Sequence, residues 1–498
     1  LATIQNISVP AAASARLFAA HAWAALLDCT PFPPPKILPV PSSAFASLPL
    51  SAAMLANLDA LGYTEMTPIQ AQSLPVMLKG QDLIAQARTG SGKTAAFGIA
   101  LLDPLNPRYF GCQALVLCPT RELADQVAKE LRRLARAADN IKILTLCGGV
   151  SIGPQIGSLE HGAHVIVGTP GRIQEHLNKG TLKLDGLNTL VLDEADRMLD
   201  MGFYDAIAEI IGQTPATRQT LLFSATYPAG IGQLAAAFMR TPQRVKAEIL
   251  HDDARIEQRF YEIDAGERLE AVVRALTSFR PESCVAFCFT KQQCQDLVEH
   301  LHARGISAMA LHGDLEQRDR DQVLAMFANR SLSVLVATDV AARGLDIAAL
   351  DMVINVELAR DAQIHVHRIG RTGRAGNKGL AISLVAPAEA HRAQAIEKLQ
   401  QTPLNWQPLS SLVAKSGEPL QPPMTSLCIA AGRKDKLRPG DILGALTGDA
   451  GIPGSKVGKI AIFDFQAFVA VERDVARQAL QRLNAGRIKG RSLKVRAL

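Results

Sequence analysis

Of the eight cysteines in the 498 residues, no two are spaced Cys-x-x-Cys, and no ligand cluster for a structural zinc is evident. Several lie inside apolar, strand-like runs (Leu115–Cys118, Val285–Phe289), the setting of buried thiols in a reducing compartment, so a cytoplasmic location is expected. Long apolar runs are also lacking. The best candidate, residues 11–27, is interrupted by Arg16 and His21 and is shorter than the ~20 residues that cross a bilayer. No basic segment of a secretory signal precedes it, and the Pro-rich stretch 31–41 is a poor cleavage context. Residues 1–40 are therefore read as a poorly ordered N-terminal extension, and no membrane role is expected. Heptads, short-period repeats and long low-complexity tracts are absent too, which excludes a coiled coil or a solenoid.

An excess of one charge sign is lacking overall, with a net of only +6, but the distribution is uneven. Residues 424–498 carry 14 Lys and Arg against 6 Asp and Glu, a net of +8, which leaves about −2 on residues 1–423. A basic module on a near-neutral body fits a polyanionic partner, usually nucleic acid; charge alone would equally fit a solvated basic face.

From Phe45 onward, short apolar runs alternate with longer mixed stretches: Asp82–Ala85, Ala114–Cys118, Ile143–Cys147, Val165–Gly168, Leu190–Leu192 and Leu221–Phe223. A second series follows at Val285–Phe289, Ala308–Leu311, Val334–Ala337, Met352–Val356 and Ala381–Val385. Apolar strands separated by helices call for parallel sheets covered on both faces. The expected architecture is α/β, with tandem domains over 41–245 and 255–403 and a crevice between them. Thr241–Arg259 and Gln401–Pro423 read as linkers, and 424–498 as a small α+β domain.

The strongest local signal is Ala87-Arg88-Thr89-Gly90-Ser91-Gly92-Lys93-Thr94, directly after a strand. Small residues there let backbone N–H groups close on phosphate at a helix N-terminus. Lys93 would reach the outer phosphates and Thr94 would ligate Mg²⁺. The strict pattern has Gly where Ala87 stands. About a hundred residues on, a strand ends in Asp193-Glu194-Ala195-Asp196, where an α/β sheet presents its ligands. Asp193 is placed to hold the metal, partly through water, and Glu194 to orient and deprotonate the attacking water.

With these motifs in order, residues 45–403 resemble the DEAD-box ATP-dependent RNA helicases. The resemblance implies two RecA-like domains, ATP with Mg²⁺, and RNA as partner. It extends to Thr67-Pro68-Ile69-Gln70, whose Gln70 would read adenine, and to Phe45 as the ring stacked on the base. Ser224-Ala225-Thr226 matches the segment that couples the nucleotide to domain closure, and Ser224 is expected to bond to the DEAD segment. In the second domain Asp346 would meet the ribose, His367 would take part in coupling, and Arg371 and Arg374 would be the arginine fingers. The family usually has Tyr where His365 stands, so a local packing change without loss of activity is expected. Rival readings are a catalytically silent RNA scaffold and a DNA-directed motor.

The same resemblance assigns RNA contacts to Thr120, Arg121, Gly149, Thr169, Gly171 and Arg172 in the first domain. In the second it assigns Thr290, Gly313, Gln317, Arg320 and Thr338. It implies local strand separation by ATP-driven closure, without long-range translocation. The tail is similar to that of a bacterial branch of the family. This implies recognition of a 23S ribosomal RNA hairpin near the peptidyl transferase centre, and a role in assembly of the large subunit. The order of its segments suits an RNA-recognition-like sheet, but the usual RNP1 pattern is not met. Binding by basic loops (Arg433, Lys434, Lys436) and base stacking by aromatics both stay open, and no dedicated protein partner is evident.

Overall fold

The structure, a computed structural model, describes residues 44–87, 90–246, 256–342, 350–373, 378–415 and 420–498. The expected N-terminal extension, Thr89, Asp346 and Arg374 lie outside the described residues.

The first domain is built on a seven-stranded parallel sheet. Its strands are β1 (Leu83–Gln86), β2 (Ala114–Leu117), β3 (Ile143–Leu146), β4 (Val165–Gly168), β5 (Thr189–Asp193), β6 (Gln219–Ser224) and β7 (Gln243–Lys246). They lie in the order β3-β4-β2-β5-β6-β1-β7. Side chains alternate between faces. Ala114 and Val116 of β2 enter one buried cluster with Val191 and Phe223, whereas Leu115 and Leu117 enter the opposite cluster with Leu190 and Leu192. Each fully buried Leu or Val contributes about 1.5–3 kcal/mol, which is why the central strands are continuous apolar runs.

The second domain repeats the plan. Its strands are β8 (Ile256–Glu262), β9 (Cys284–Cys288), β10 (Ala308–Leu311), β11 (Val334–Thr338), β12 (Met352–Asn355), β13 (Gly379–Val385) and β14 (Trp406–Gln407), in the order β10-β11-β9-β12-β13-β8-β14. The chain therefore folds as two RecA-like α/β units followed by a third, smaller one.

Both expected linkers need correction. Within 241–259, Gln243–Lys246 pairs with β1 and Ile256 begins the strand that pairs with β13. Within 401–423, Trp406–Gln407 pairs with β8, and Leu412 and Leu420 are buried in the second domain's core. These segments read as linkers because β7 and β14 are short, half-exposed edge strands and β8 is largely polar, so one-sided burial leaves little apolar pattern.

The third domain is a four-stranded antiparallel sheet of β15 (Met424–Ile429), β16 (Val457–Ile462), β17 (Ala467–Glu472) and β18 (Val495–Ala497), ordered β16-β17-β15-β18. The helices Pro439–Gly444 and Arg473–Ala485 pack on one face, where Leu427, Ile429, Val469 and Leu483 form the core. The other face is covered as well. Cys428 and Phe468 pack with Ala325 of the second-domain helix Gln317–Ala328, while Asn329 and Ser331 hydrogen-bond Ser426.

Candidate active site and RNA interface

The carboxyl ends of β5, β6 and β1 form one group. Lys93 begins the buried helix Lys93–Leu102 right after Gly92, whose φ of 92° is left-handed. A side chain at Gly92 would also collide with Gln70, since a Cβ would stand 2.6 Å from its Nε2. Gln70 Nε2 donates to Gly92 O (3.1 Å), its Oε1 accepts from Thr67 N (2.8 Å), and Thr67 Oγ1 donates to Ser91 O (2.8 Å). The amide thus pins the phosphate loop, and each end retains capacity for one more hydrogen bond. Phe45 is buried, with its ring edge-on to Tyr63 at 6.3 Å; Tyr63 itself lines the cavity over the loop. That cavity, about 370 Å³, also meets Gly90, Thr94, Asp193 and Glu194.

Among the described residues, two polar atoms beside it, Lys93 Nζ and Asp193 Oδ1, are buried without a hydrogen-bond partner. Burial, opposed by Lys93, pushes the Asp193 carboxyl up to about 6. Glu194 takes a left-handed φ of 54° at the strand-to-helix turn, and its Oε2 lies 3.4 Å from Arg197 Nε.

The third acid of the segment, Asp196, faces the coupling motif. Its Oδ2 accepts from Thr226 N (2.9 Å) and Thr226 Oγ1 (2.7 Å). Burial works against ionisation, but the hydrogen bonds from Thr226, with the Ser224 hydroxyl close by, hold its carboxyl below the ordinary range. Ser224 Oγ also donates to Thr226 O (2.6 Å). An inter-domain cavity of about 640 Å³ opens here, lined by Asp196, Arg197 and Thr226 from one side and His367, Arg368 and Arg371 from the other. His367 is pushed down to about 4 by burial and Arg197, against the pull of Asp196 and Glu194, so it lies within electrostatic reach of the DEAD segment. Arg368 has a structural position, with Nε and Nη2 donating to Asp339 (2.7 Å each) and Nη1 to Glu357 O (2.7 Å). Sequence reasoning gave Arg197, Tyr63 and Asp339 no role of their own, because a charge or ring partnered only in three dimensions leaves no local signal of its partner.

The opposite three strands of each sheet carry the candidate RNA contacts. Thr120 caps the helix after β2, Gly149 follows β3 and Thr169 caps the helix after β4; these are neighbours in the order β3-β4-β2. In the second sheet Thr290 follows β9, Gly313 follows β10 and Thr338 ends β11, neighbours in the matching order β10-β11-β9. The two rows meet. Arg320 Nη2 lies 2.9 Å from Glu122 Oε1, and a Cβ on Gly149 would stand 3.6 Å from Gln317 Oε1. Arg121 Nη1 is buried with no hydrogen-bond partner among the described residues. Arg172 is held by Gln155 Oε1 (2.9 Å) and Val150 O (2.8 Å), and Gly171 next to it is exposed. In the third domain Arg433, Lys434 and Lys436 are exposed around a short 3-10 turn.

Comparison with known proteins agrees with this geometry. Residues 67–234 match the DEAD/DEAH box helicase family, 267–376 the helicase conserved C-terminal domain, and 426–497 the DbpA RNA binding domain. The chain is 55% identical to the ATP-dependent RNA helicase DbpA of Escherichia coli (strain K12) over 92% of its own length and 100% of the relative's. It is 44% identical to the DEAD-box ATP-dependent RNA helicase CshA of Bacillus subtilis over 71% of this chain and 72% of that one. Among solved structures, S. cerevisiae Dbp5 bound to RNA and ADP BeF3 superposes with a TM-score of 0.67 at 30% identity, covering 74% of this chain and 97% of that one. No helix among the described residues is long and apolar enough to cross a membrane. With both helicase domains, the RNA-binding tail and a full-length relative in agreement, the chain belongs to the DEAD-box family of ATP-dependent RNA helicases.

Proposed function

We propose that this chain unwinds RNA locally by ATP-driven closure of its two RecA-like domains, acting in the cytoplasm on 23S ribosomal RNA during assembly of the large subunit. The observation that carries the catalytic part is a pair of cavities that both border the 193–196 segment: Lys93, Asp193 and Glu194 line the one over the phosphate loop, and Arg371 lines the inter-domain one with Asp196 and Arg197. Lys93 binds the outer phosphates, Gln70 reads the adenine and Phe45, packed behind Tyr63 at the same pocket, is the ring for the base, and Glu194 takes the proton of the attacking water. Arg371, with Arg374 beyond the described residues, neutralises charge on the phosphoryl group in flight. These cations come from the second domain, so hydrolysis requires closure.

The residues present fit Mg²⁺. Burial has pushed Asp193 up and left its Oδ1 without a partner, which a hard cation would relieve, and Thr94 supplies a hydroxyl in the same cavity. No group of three or more potential ligand side chains occurs among the described residues, as suits an ion that arrives with the triphosphate and keeps water. Bound there, it would neutralise charge on the phosphates.

Closure also aligns the two rows of RNA contacts, from Thr120, Arg121, Gly149, Thr169, Gly171 and Arg172 to Thr290, Gly313, Gln317, Arg320 and Thr338. Thr226, Ser224 and His367 connect the nucleotide to that movement through Asp196. Residues 424–498 choose the RNA, through Arg433, Lys434, Lys436 and neighbouring cations, and target the hairpin near the peptidyl transferase centre. The test is phosphate release with and without that hairpin. Strong stimulation by it, and little by a scrambled RNA or a matched DNA, is expected; equal stimulation by all three would overturn the targeting.

A further inference from the structure

Residues 424–498 contain three aromatic side chains, Phe463, Phe465 and Phe468, and no Tyr or Trp. Phe468 is fully buried, on the sheet face that packs against helix Gln317–Ala328. Phe463 is half-buried, edge-on to Phe468 at 5.6 Å. Two of the three rings are thus committed to packing. Phe465 is 73% exposed, more than any other large apolar side chain among the described residues.

Its exposure is built into the turn between β16 and β17. Phe463 N donates to Gln466 O (2.8 Å), Arg433 N to Phe463 O (2.8 Å) and Lys434 N to Asp464 O (2.9 Å). Gly432 approaches so closely that any side chain there would collide with Phe463 O and Asp464 O. Gln466 is buried and accepts from Arg318 Nε (3.2 Å). The backbone is therefore anchored on both sides of Phe465, and its ring is held in solvent. Around it stand Arg433, ion-paired to Asp464 at 3.4 Å yet itself 66% exposed, and exposed Lys434.

We propose that Phe465 is a base-stacking contact: one unpaired RNA base seats on its ring while Arg433 and Lys434 neutralise the adjoining phosphates. A rigid exposed ring flanked by cations is the element by which single strands are held, since every base offers a π-face. The domain's net charge of +8 favours a polyanion over a second copy of the same domain, which would meet it with like charge. Position supports this too. Helix Gln317–Ala328, which holds the turn through Arg318, also carries Gln317 and Arg320 of the RNA row, so a strand leaving the tail passes Phe465 on its way to the core. The inference rests on the reading that the tail and this row carry RNA.

The full chain is titrated by fluorescence anisotropy with the 23S hairpin bearing a single-stranded extension. Phe465→Ala should weaken binding about 5- to 50-fold, by the same factor at about 0.1 and about 0.3 M salt, because stacking releases no counterions. Arg433→Gln should instead flatten the salt dependence. Phe465→Trp should retain affinity, and its emission, after subtraction of the wild-type signal, should be quenched by RNA. Wild-type affinity in Phe465→Ala with unmoved Phe465→Trp emission would overturn the proposal. So would a loss of sedimentation mass in Phe465→Ala with RNA binding intact, which would make the ring a protein contact. Should the wild type bind the hairpin no better than a scrambled RNA, ribosomal targeting falls, and the Phe465→Ala comparison on the scrambled RNA still decides the stacking.

Discussion

Arg320 of the second domain and Glu122 of the first form an ion pair at 2.9 Å across the cleft, with each side chain only 12% exposed. Arg320 also donates to Ala341 O (3.3 Å), so its guanidinium is fixed from its own domain before it reaches across. Exposed pairs contribute little, whereas a shielded pair that spans two domains favours the arrangement in which it is formed. Glu122→Gln should therefore lower RNA-stimulated ATPase several-fold and leave nucleotide affinity without RNA unchanged. A double-mutant cycle with Arg320→Gln should give a coupling of about 1 kcal/mol. Additive effects on closure, read by inter-domain fluorescence transfer, would contradict this.

A second prediction concerns acid. Asp193 must be ionised to serve as an oxygen ligand, and burial has pushed it up to about 6. Its protonated form gains as pH falls through that value, so kcat/KM for ATP should decline below about pH 6, much higher than an ordinary carboxylate would allow. Loss of activity only below pH 4, with the fold intact by circular dichroism, would contradict the burial argument.

The chemical step should separate from binding. Glu194→Gln removes a general base, a change typically costing about 10²- to 10⁴-fold in kcat, and Arg371→Ala removes a phosphoryl-stabilising cation, on the order of 10³-fold or more. Both variants should still bind ATP, and Glu194→Gln should accumulate with RNA and uncleaved nucleotide. Single-turnover hydrolysis at wild-type rate in either variant would count against the assigned role.

His365 predicts a stability effect of defined sign. It is fully buried, with its Nε2 3.3 Å from Gln258 Oε1 and its ring 5.9 Å from Phe260. Burial, reinforced by Arg368, pushes it from 6.5 down to about 3. Between those values the unfolded chain binds a proton that the folded chain refuses, so stability rises with pH through this window and is lost on acidification below about 6.5. His365→Tyr should remove that part of the acid sensitivity of Tm while keeping ATPase activity. An unchanged pH dependence of Tm would refute it, provided the contribution of His367, pushed down to about 4, is subtracted.

Docking of the tail makes the last prediction. Phe468→Ala deletes a fully buried ring between the third domain and helix Gln317–Ala328, a change that typically costs about 3–5 kcal/mol. Hydrogen exchange should rise in β15 and β17 and along that helix, while the P-loop region stays protected. Unchanged exchange at the helix would mean that the docking face is not held by this ring.

Much of the candidate catalytic centre could be named from sequence because its chemistry is local. A phosphate loop needs small residues, a lysine and a hydroxyl within one turn, so Gly92, Lys93 and Thr94 stand together in the chain. Asp193 and Glu194 follow a fully apolar strand, and strand ends are where parallel sheets present ligands. The buried central strands were legible for the same reason, since two-sided burial leaves continuous apolar runs. Half-exposed edges and a largely polar strand leave none, which is why the edge strands β7 and β14, and β8 with its polar residues, read as linkers. The sequence by itself determined which groups can bind phosphate, abstract a proton or neutralise charge. Only the tertiary structure decided which of them face each other: Arg371 and His367 towards Asp196, Arg320 towards Glu122, Phe468 inward and Phe465 outward. Those pairings join residues tens to hundreds of positions apart, and they depend on how two sheets and a docked third domain pack, which no local pattern records.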